Sequence, residues 1–424
     1  MKTAGRFFFS WTRARMLTAL TIVISLLLIV ACAKEESSSL AKGLSLYQQN
    51  KLQEALPLLR EAVEQDKQNP DANAWLAETY RRVQRNDDAI IVARQVLKID
   101  PCHSFANTIL AAAYNPLYRS WKGASFDTAW HYLQKAAECN PDDGNVWTGI
   151  WVEATRRGEK QMRKEAARRM YQSGFFTPAL LAYNRWMLRH LPQNALLLTN
   201  GDMDTYPAVA LQEVEGFRPD VVVANLSLLN TKWYARHLRD DLGIPLPLDD
   251  DRLDALAPLM DADGKFKTIS TQLVSGWLKQ RQAGEFPRSI TISVTVGNKL
   301  FASGTESHLS LFGAFYSWFP VPAASAQDTS MLRISLAGID PEEFSGPLVS
   351  EQDTSPVRRV STNHLVKNIT AAALTYSEKL IEAGRTRKAK EMLDWAEQFE
   401  KKTENGPVFT ERIAELRAEC QGGK

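Results

Sequence analysis

"PDANAWLAETYRRVQRNDDAIIVARQVLKIDP", residues 70–101, decides most of the fold. Within it Ala89 lies thirteen residues after Leu76, nine after Tyr80 and twelve before Pro101. Ala89 and Val96 form a small-residue pair seven apart, and the spacing recurs at Ala55 and Ala62 upstream and at Ala129 and Ala136 downstream. Prolines follow at Pro70, Pro101 and Pro141. Self-similarity of this kind marks a stack of supersecondary units, none of which can bury its apolar face alone. Small residues at the paired sites let two helices approach closely. Leucine and aromatic sites fill the groove of the next unit, and the proline stops the second helix.

From Leu40 to about Ala154 these features resemble the tetratricopeptide repeat, a helix–turn–helix of about 34 residues. Units two and three match best, although "NPLYRSWKGAS" (115–125) stretches the third between its helices. A fourth helical unit starts at Trp147, and "RRGEKQMRKEAARRMYQ" (156–172) reads as a basic helix with a solvated outer face. At the other end, "NHLVKNITAAALTYSEKLIEAGRTRKAKEMLDWAEQFEKK" (363–402) places Ala389 and Ala396 seven apart after Gly384, a further repeat-like pair. Such repeats stack into a curved solenoid whose concave face commonly receives a peptide or helix. They carry no chemistry, so a protein partner is the expectation.

The start of the chain reads differently. Lys2, Arg6, Arg13 and Arg15 precede an apolar segment from Met16 to Val30, 15 residues long. That is shorter than the roughly 20 residues a bilayer-spanning helix needs, and it reads as a signal peptide. Ile29-Val30-Ala31-Cys32 fits a bacterial lipobox, with cleavage before Cys32 and acyl chains on that residue. The plainer alternative is an ordinary signal peptide with an incidental cysteine. The expected layout is a signal peptide over 1–31, a tether over 32–39 and helical repeats over 40–190. An α/β domain over 193–360 and a C-terminal helical pair over 361–420 complete it. Ala33 after the cysteine points to the outer membrane, facing the periplasm. Without residues 1–31 the chain carries 47 basic and 49 acidic side chains, a balance that removes any general argument for nucleic-acid binding. Cys102 and Cys139 fall near equivalent junctions of neighbouring repeats. An oxidised pair is one reading, and two unpaired thiols is the expected one.

Between residues 193 and 360 the periodicity changes. "ALLLTNG" (195–201) and "RPDVVVANLSLL" (218–229) are strand-length apolar runs, and "PAVALQEVEGF" (207–217) between them has helical spacing. This is a βαβ unit with parallel strands and a right-handed crossover. Further strands are expected at "RSITISVTV" (288–296) and "SMLRISLAG" (330–338), with a helix at "KTISTQLVSGWLKQRQAG" (267–284). The fold class is therefore α plus α/β: a helical solenoid, a small mostly parallel α/β domain and a C-terminal helical repeat pair.

"LLLTNGDMDTYPAVALQEVEGFRPDVVVANLSLLNTKWYARHL" (196–238) is similar to a soluble segment of a family of large bacterial multi-spanning membrane proteins, uncharacterised and related to protein O-mannosyltransferases. That segment reads TNGDNDT-(Tyr/Phe)-P, then an aromatic pair, QEVEG-x-RPDV and NLSLL-x-x-x-WY. "FPRSITISVTV" (286–296), "LFGAFYSWFPVP" (311–322) and "NHLVKNITAAALTY" (363–376) follow in the family's order, so the resemblance covers roughly 193–400. Met203 and "PAVALQ" (207–212) depart from the family pattern, and its membrane-spanning catalytic part has no counterpart here. The resemblance implies the soluble fold and not a transferase reaction.

Asn200, Asp202, Asp204, Thr205 and Tyr206 follow the first strand, where ligands of α/β sheets usually sit. Asn225 ends the next strand, and Trp233 and Tyr234 come soon after. Carboxylates, amides, hydroxyls and aromatics at one rim suit a sugar or a hydrated cation. The simpler reading is a turn in which Asp204 or Thr205 caps the helix beginning near Pro207. Asp-x-Asp also recurs at Asp249/Asp251 and Asp261/Asp263, which makes the pattern cheap in this chain. P-loop, GxGxxG, HExxH and GxSxG motifs are missing, and the histidines have no metal-ligand spacing. No catalytic residue, cofactor or metal is expected. The expected function is a lipid-anchored envelope adaptor that binds protein through its repeats. The alternative is an accessory component of envelope glycan or glycoprotein metabolism working through the rim around Asp202.

Overall fold

The computed structural model describes residues 38–117, 123–262, 264–296, 306–321, 329–403 and 408–422. The expected signal segment, Cys32, the expected tether up to residue 37 and Asp263 lie outside them. The chain divides between Cys139 and Asn140 into two compact units. No described helix is long and apolar enough to cross a membrane.

The first unit is a run of helical hairpins. α1 (Ser39–Gln48) pairs with α2 (Leu52–Gln65), α3 (Pro70–Arg82) with α4 (Asn86–Ile99), and α5 (Ser104–Tyr114) with α6 (Phe126–Cys139). The seven-spaced residues meet the partner helix: Ala55, Ala89, Val96 and Ala136 are fully buried, and Ala62 and Ala129 nearly so. In α1, a Cβ on Gly43 would lie 2.9 Å from the Leu59 side chain, so only glycine lets these helices meet. Polar side chains close the helix starts. Asn69 Oδ1 accepts from Ala72 N at 3.0 Å, and His103 Nδ1 accepts from Ala106 N at 3.2 Å. Pro70 opens α3 instead of stopping α2, a position whose missing N–H is harmless.

Successive units are tied by one contact used twice. Arg60 Nε donates to Tyr80 Oη at 2.7 Å, and Arg94 Nη2 donates to Tyr114 Oη at 2.8 Å. A Cys102–Cys139 disulfide, Cα atoms 5.2 Å apart, overturns the expectation of two free thiols. The stacking explains it: the turn after α4 lies beside the end of α6, where Ser104 Oγ also donates to the Ala136 carbonyl at 3.0 Å.

The second unit begins with the hairpin of α7 (Gly144–Arg157) and α8 (Lys160–Gln172), followed by α9 (Pro178–Arg189). The basic stretch 156–172 keeps Lys160, Lys164 and Arg168 exposed, as a solvated outer face requires, and pairs most of its cations with nearby carboxylates. Arg156 and Arg157 both pair with the buried Glu153, Lys160 and Arg163 with Asp241, Arg168 with Glu213 and Arg169 with Glu165. The chain then enters β1 (Leu196–Thr199), α10 (Tyr206–Glu215) and β2 (Val222–Asn225), with β1 and β2 parallel as expected. α11 (Lys232–Asp240), α12 (Asp250–Ala255), the short ribbon of β3 (Leu259–Met260) and β4 (Phe266–Lys267), and α13 (Ile269–Gln282) lead to β5 (Ile290–Ser293), parallel to β1.

β6 (Leu309–Leu311) and β7 (Phe315–Trp318) correct the expectation of a mostly parallel sheet. The order is β2-β1-β5-β7-β6, and both β7 pairings are antiparallel, so the sheet is mixed. "SMLRISLAG" (330–338) is no strand either: α14 spans Thr329–Leu336. Leu332 and Leu336, four apart, are buried while Ile334 between them is exposed, a helical pattern that competes with the alternating one. α15 (Pro356–Asn363), the hairpin of α16 (Lys367–Glu382) and α17 (Thr386–Lys402), and α18 (Thr410–Gly422) complete the unit. Ala389, Leu393 and Ala396 are fully buried within that hairpin.

Candidate functional site

The turn after β1 is held from within. Asp204, 2% exposed, turns back toward the strand: Oδ1 accepts from Gly201 N at 2.8 Å and Oδ2 from Asn200 N at 3.1 Å, and the Thr295 hydroxyl donates to it as well. Burial pushes its carboxyl pKa up, against the pull of these donors. The amides it caps belong to the turn and not to α10, and Thr205 makes no side-chain cap of α10 either. The Thr205 hydroxyl donates to the Gly201 carbonyl at 2.6 Å and accepts from Asn225 Nδ2 at 3.0 Å. Asn225 Oδ1 accepts from Leu228 N at 3.0 Å, and Asn225 N donates to Tyr234 Oη at 3.2 Å.

The structure thus joins Asn200, Asp204, Thr205, Asn225 and Tyr234 into one network that links β1, β2, α10 and α11. Tyr206 is buried with its ring edge-on to Trp151, centroids 5.4 Å apart. Trp233 is half-buried, 5.6 Å from the Tyr234 ring, and its Nε1 lacks a hydrogen-bond partner. Asp202 stands apart from Asp204: it pairs with Arg358 at 3.2 Å and stays half exposed. The two carboxylates therefore hold different partners, one a backbone turn and the other a guanidinium.

Arg358 is the residue that sequence reasoning missed. Its Nε and Nη2 donate to the two oxygens of Asp353 at 2.9 and 2.8 Å, and Nη2 also donates to Asn145 Oδ1 at 2.6 Å. The guanidinium lies 5.5 Å from the Phe175 ring centre. Nearby, Gln352 accepts from Gly144 N at 3.1 Å and donates to the Ser173 carbonyl at 2.9 Å. The segment before α15 is in this way fastened to the start of α7, the α8–α9 turn and the Asp202 turn. One signal was available: Asp353 and Ser355 just before Pro356 read as a helix start.

His237 sits against Arg163 and donates from Nδ1 to Asp241 Oδ2 at 2.8 Å. Burial lowers its pKa below the ordinary 6.5, with the Asp241 hydrogen bond pulling the other way, and burial does the same to His190. Between the lowered folded values and 6.5 the unfolded chain binds more protons, so stability falls as pH drops below 6.5. Urea unfolding from pH 7.5 to 5.5, a window above ordinary carboxylate titration, should show that fall. A His190→Gln/His237→Gln variant should flatten it.

Two family models match, one in each unit. Residues 46–112 match the tetratricopeptide repeat, and residues 181–250 match TMEM260-associated domain 2. The chain carries both domains. The repeat match takes in Arg60, Tyr80 and Arg94 and ends two residues before Tyr114, and the TMEM260-associated match begins within α9 and takes in β1, α10, β2 and α11. No curated protein matches the chain. Among solved structures, the tetratricopeptide protein TTC0263 of Thermus thermophilus is 19% identical, covering 51% of this chain and 94% of its own, at a TM-score of 0.32. "MamA MSR-1 C2" is 20% identical over 32% of this chain and 73% of its own, at 0.24. Naa15/Naa10 bound to HypK-THB is 11% identical over 91% and 66%, at 0.27. Such scores do not align whole architectures, and the repeat assignment rests on the sequence match and the hairpin packing.

Proposed function

We propose that the protein is a lipid-anchored adaptor of the cell envelope, attached through Cys32 to the outer membrane and facing the periplasm, which holds a protein partner on its tetratricopeptide repeats. One observation carries the partner reading. The Trp75 ring lies 5.2 Å from Tyr47 and 4.8 Å from Phe105, an aromatic ladder across the first helices of three consecutive hairpins. Tyr47 is buried, while Trp75 and Phe105 are half-buried and keep part of their rings in solvent. Rigid aromatic side chains of this kind are the usual anchors of protein interfaces. The Cys102–Cys139 disulfide supports an oxidising compartment, where such bonds persist.

The test is crosslinked capture from envelope extracts with wild type and a Trp75→Ala/Phe105→Ala variant. The adaptor reading expects a discrete partner that the variant loses while its circular dichroism is unchanged, since the loss of an anchor ring removes about 2 kcal/mol or more of binding. Equal capture by both proteins would sink it. Acyl labelling that disappears in Cys32→Ser tests the anchor separately. A second reading, an accessory carbohydrate-binding component related to the O-mannosyltransferase-like membrane family, rests on the TMEM260-associated match and on the half-buried Trp233 with its unpartnered indole N–H. Asp204, Thr205 and Asn225 are already engaged with the protein itself, which makes this the weaker reading.

A further inference from the structure

A cavity of about 460 Å³ lies in the second unit, along the open edge of the sheet. β2 is the terminal strand in the order β2-β1-β5-β7-β6, so one side of its backbone has no neighbouring strand. Residues of α8, α10 and α11 wall the space, and Val221, Val222 and Val223 line it beside them. Its volume falls within the usual span for ligand sites, roughly 300–1,000 Å³.

The ladder fixes where each backbone group of β2 points. Val222 N donates to the Ala195 carbonyl and Leu226 N to the Thr199 carbonyl, both at 2.9 Å. In a parallel pair such bonds fall on alternate residues, so the N–H and C=O of Val221, Val223 and Asn225 face away from β1. Val221 is provided for: its N–H donates to the Arg218 carbonyl at 3.2 Å, and its carbonyl accepts from Gln212 Nε2 at 2.8 Å. Asn225 N donates to Tyr234 Oη at 3.2 Å. Val223, between them, is 6% exposed, and neither its N–H nor its C=O has a partner on that side among the described residues. Buried backbone groups are almost always paired, so the gap in the edge calls for an occupant.

Charge narrows the choice. Three carboxylates of the lining are each held by a cation: Glu213 by Arg168 at 3.2 Å, Asp220 by Arg218 at 2.9 Å and Asp241 by Lys160 at 2.8 Å. Lys164 and Arg288 also line the cavity, and neither has an ion pair among the described residues. Arg288 Nη1 donates to the carbonyls of Asn194 at 3.4 Å and Asp220 at 3.0 Å, both of them lining residues, so the guanidinium stands at the cavity with its charge unanswered. A free N–H and C=O on one edge residue match a peptide unit, as in strand addition, and a guanidinium favours a carboxylate. Asp220 precedes Val223 by three residues, at most about 11 Å of extended chain, so about two or three residues of a peptide join the two features. A strand running antiparallel to β2 brings its carboxyl end to Arg288. We infer that the cavity binds the carboxyl-terminal end of an extended peptide, a residue near that end pairing with Val223 and the terminal carboxylate resting on Arg288. The site lies wholly within the second unit, and its failure would leave the adaptor reading untouched.

The experiment titrates the full-length protein, labelled with 15N-valine, with acetyl-Val-Ala-Val bearing a free carboxylate and with the same peptide ending in an amide, read by calorimetry and NMR. The acid should bind with a Kd of about 1 mM or tighter, a value suited to so small a molecule. The neutral amide should bind at least about tenfold more weakly. The Val223 amide proton should move downfield along the acid's binding curve as it gains an acceptor. Val222, whose N–H already bonds the Ala195 carbonyl, should move less. Arg288→Gln should weaken the acid by about tenfold and bring acid and amide together. Thermal unfolding checks that this variant folds. Should it not fold, the acid-over-amide preference of the wild type and the Val223 shift still decide. No saturable binding of the acid by the wild type, equal binding of acid and amide, an unmoved Val223 signal, or full affinity in folded Arg288→Gln would each overturn the assignment.

Discussion

Arg358→Met is expected to destabilise the second unit by about 3–5 kcal/mol, the range for removing one partner of a buried ion pair. The expectation comes from what is left behind. The Asp353 side chain is only 2% exposed, and Arg358 supplies two of its hydrogen bonds. Without the guanidinium its charge stays buried, with only the amide of Ser355 still donating to it. The double replacement Arg358→Met/Asp353→Leu removes the charge as well and should cost much less, because apolar pairs of similar volume often substitute well for buried ion pairs. Asp202→Asn should matter little. That side chain is 44% exposed, and pairs open to solvent contribute about 0–1 kcal/mol. Urea unfolding of the three variants ranks them, and a single loss as small as that of Asp202→Asn would refute the arrangement described for Arg358.

Reduction of the Cys102–Cys139 bond should lower the stability of the first unit by about 2–4 kcal/mol. The bridge spans 37 residues, and closing a loop of that length in the unfolded chain is worth at most about 4 kcal/mol on the chain-entropy account. For a unit near 100 residues this shifts the melting temperature by about 10 °C or more. Calorimetry with and without a reducing agent should show the transition of the first unit alone moving if the units melt separately, since Cys420 in the second unit is a buried free thiol. Cys102→Ser/Cys139→Ser should reproduce the reduced protein. Identical melting in both conditions would mean that the bond is not formed.

What could be read in advance follows from how far each signal travels along the chain. Ala55, Ala89 and Ala129 announced their helices because close approach admits only small side chains, and that constraint is local. The crossover from β1 to β2 was legible for the same reason: turn, proline and apolar runs all lie within thirty residues. "LFGAFYSWFPVP" (311–322) hid its strand because aromatics on both sides blur the alternation. Phe315 and Trp318 are buried, yet Phe319 and Val321 are exposed. Pairings across long separations left no local trace. Arg358 and Asp202 are 156 residues apart, and no spacing rule connects them. The turn beyond β1 was legible, but Asp204 is held in it partly by Thr295, which arrives with a later strand.

The two arginine-to-tyrosine ties of the first unit have a bearing on how such a protein could change size. Both ends of the contact advance by 34 residues from one occurrence to the next, so the joint is built the same way each time. A duplicated module carrying arginine and tyrosine at those places would find a seat already made for it. Evolution, or an engineer, could lengthen the array by copying one segment, with no new core to invent.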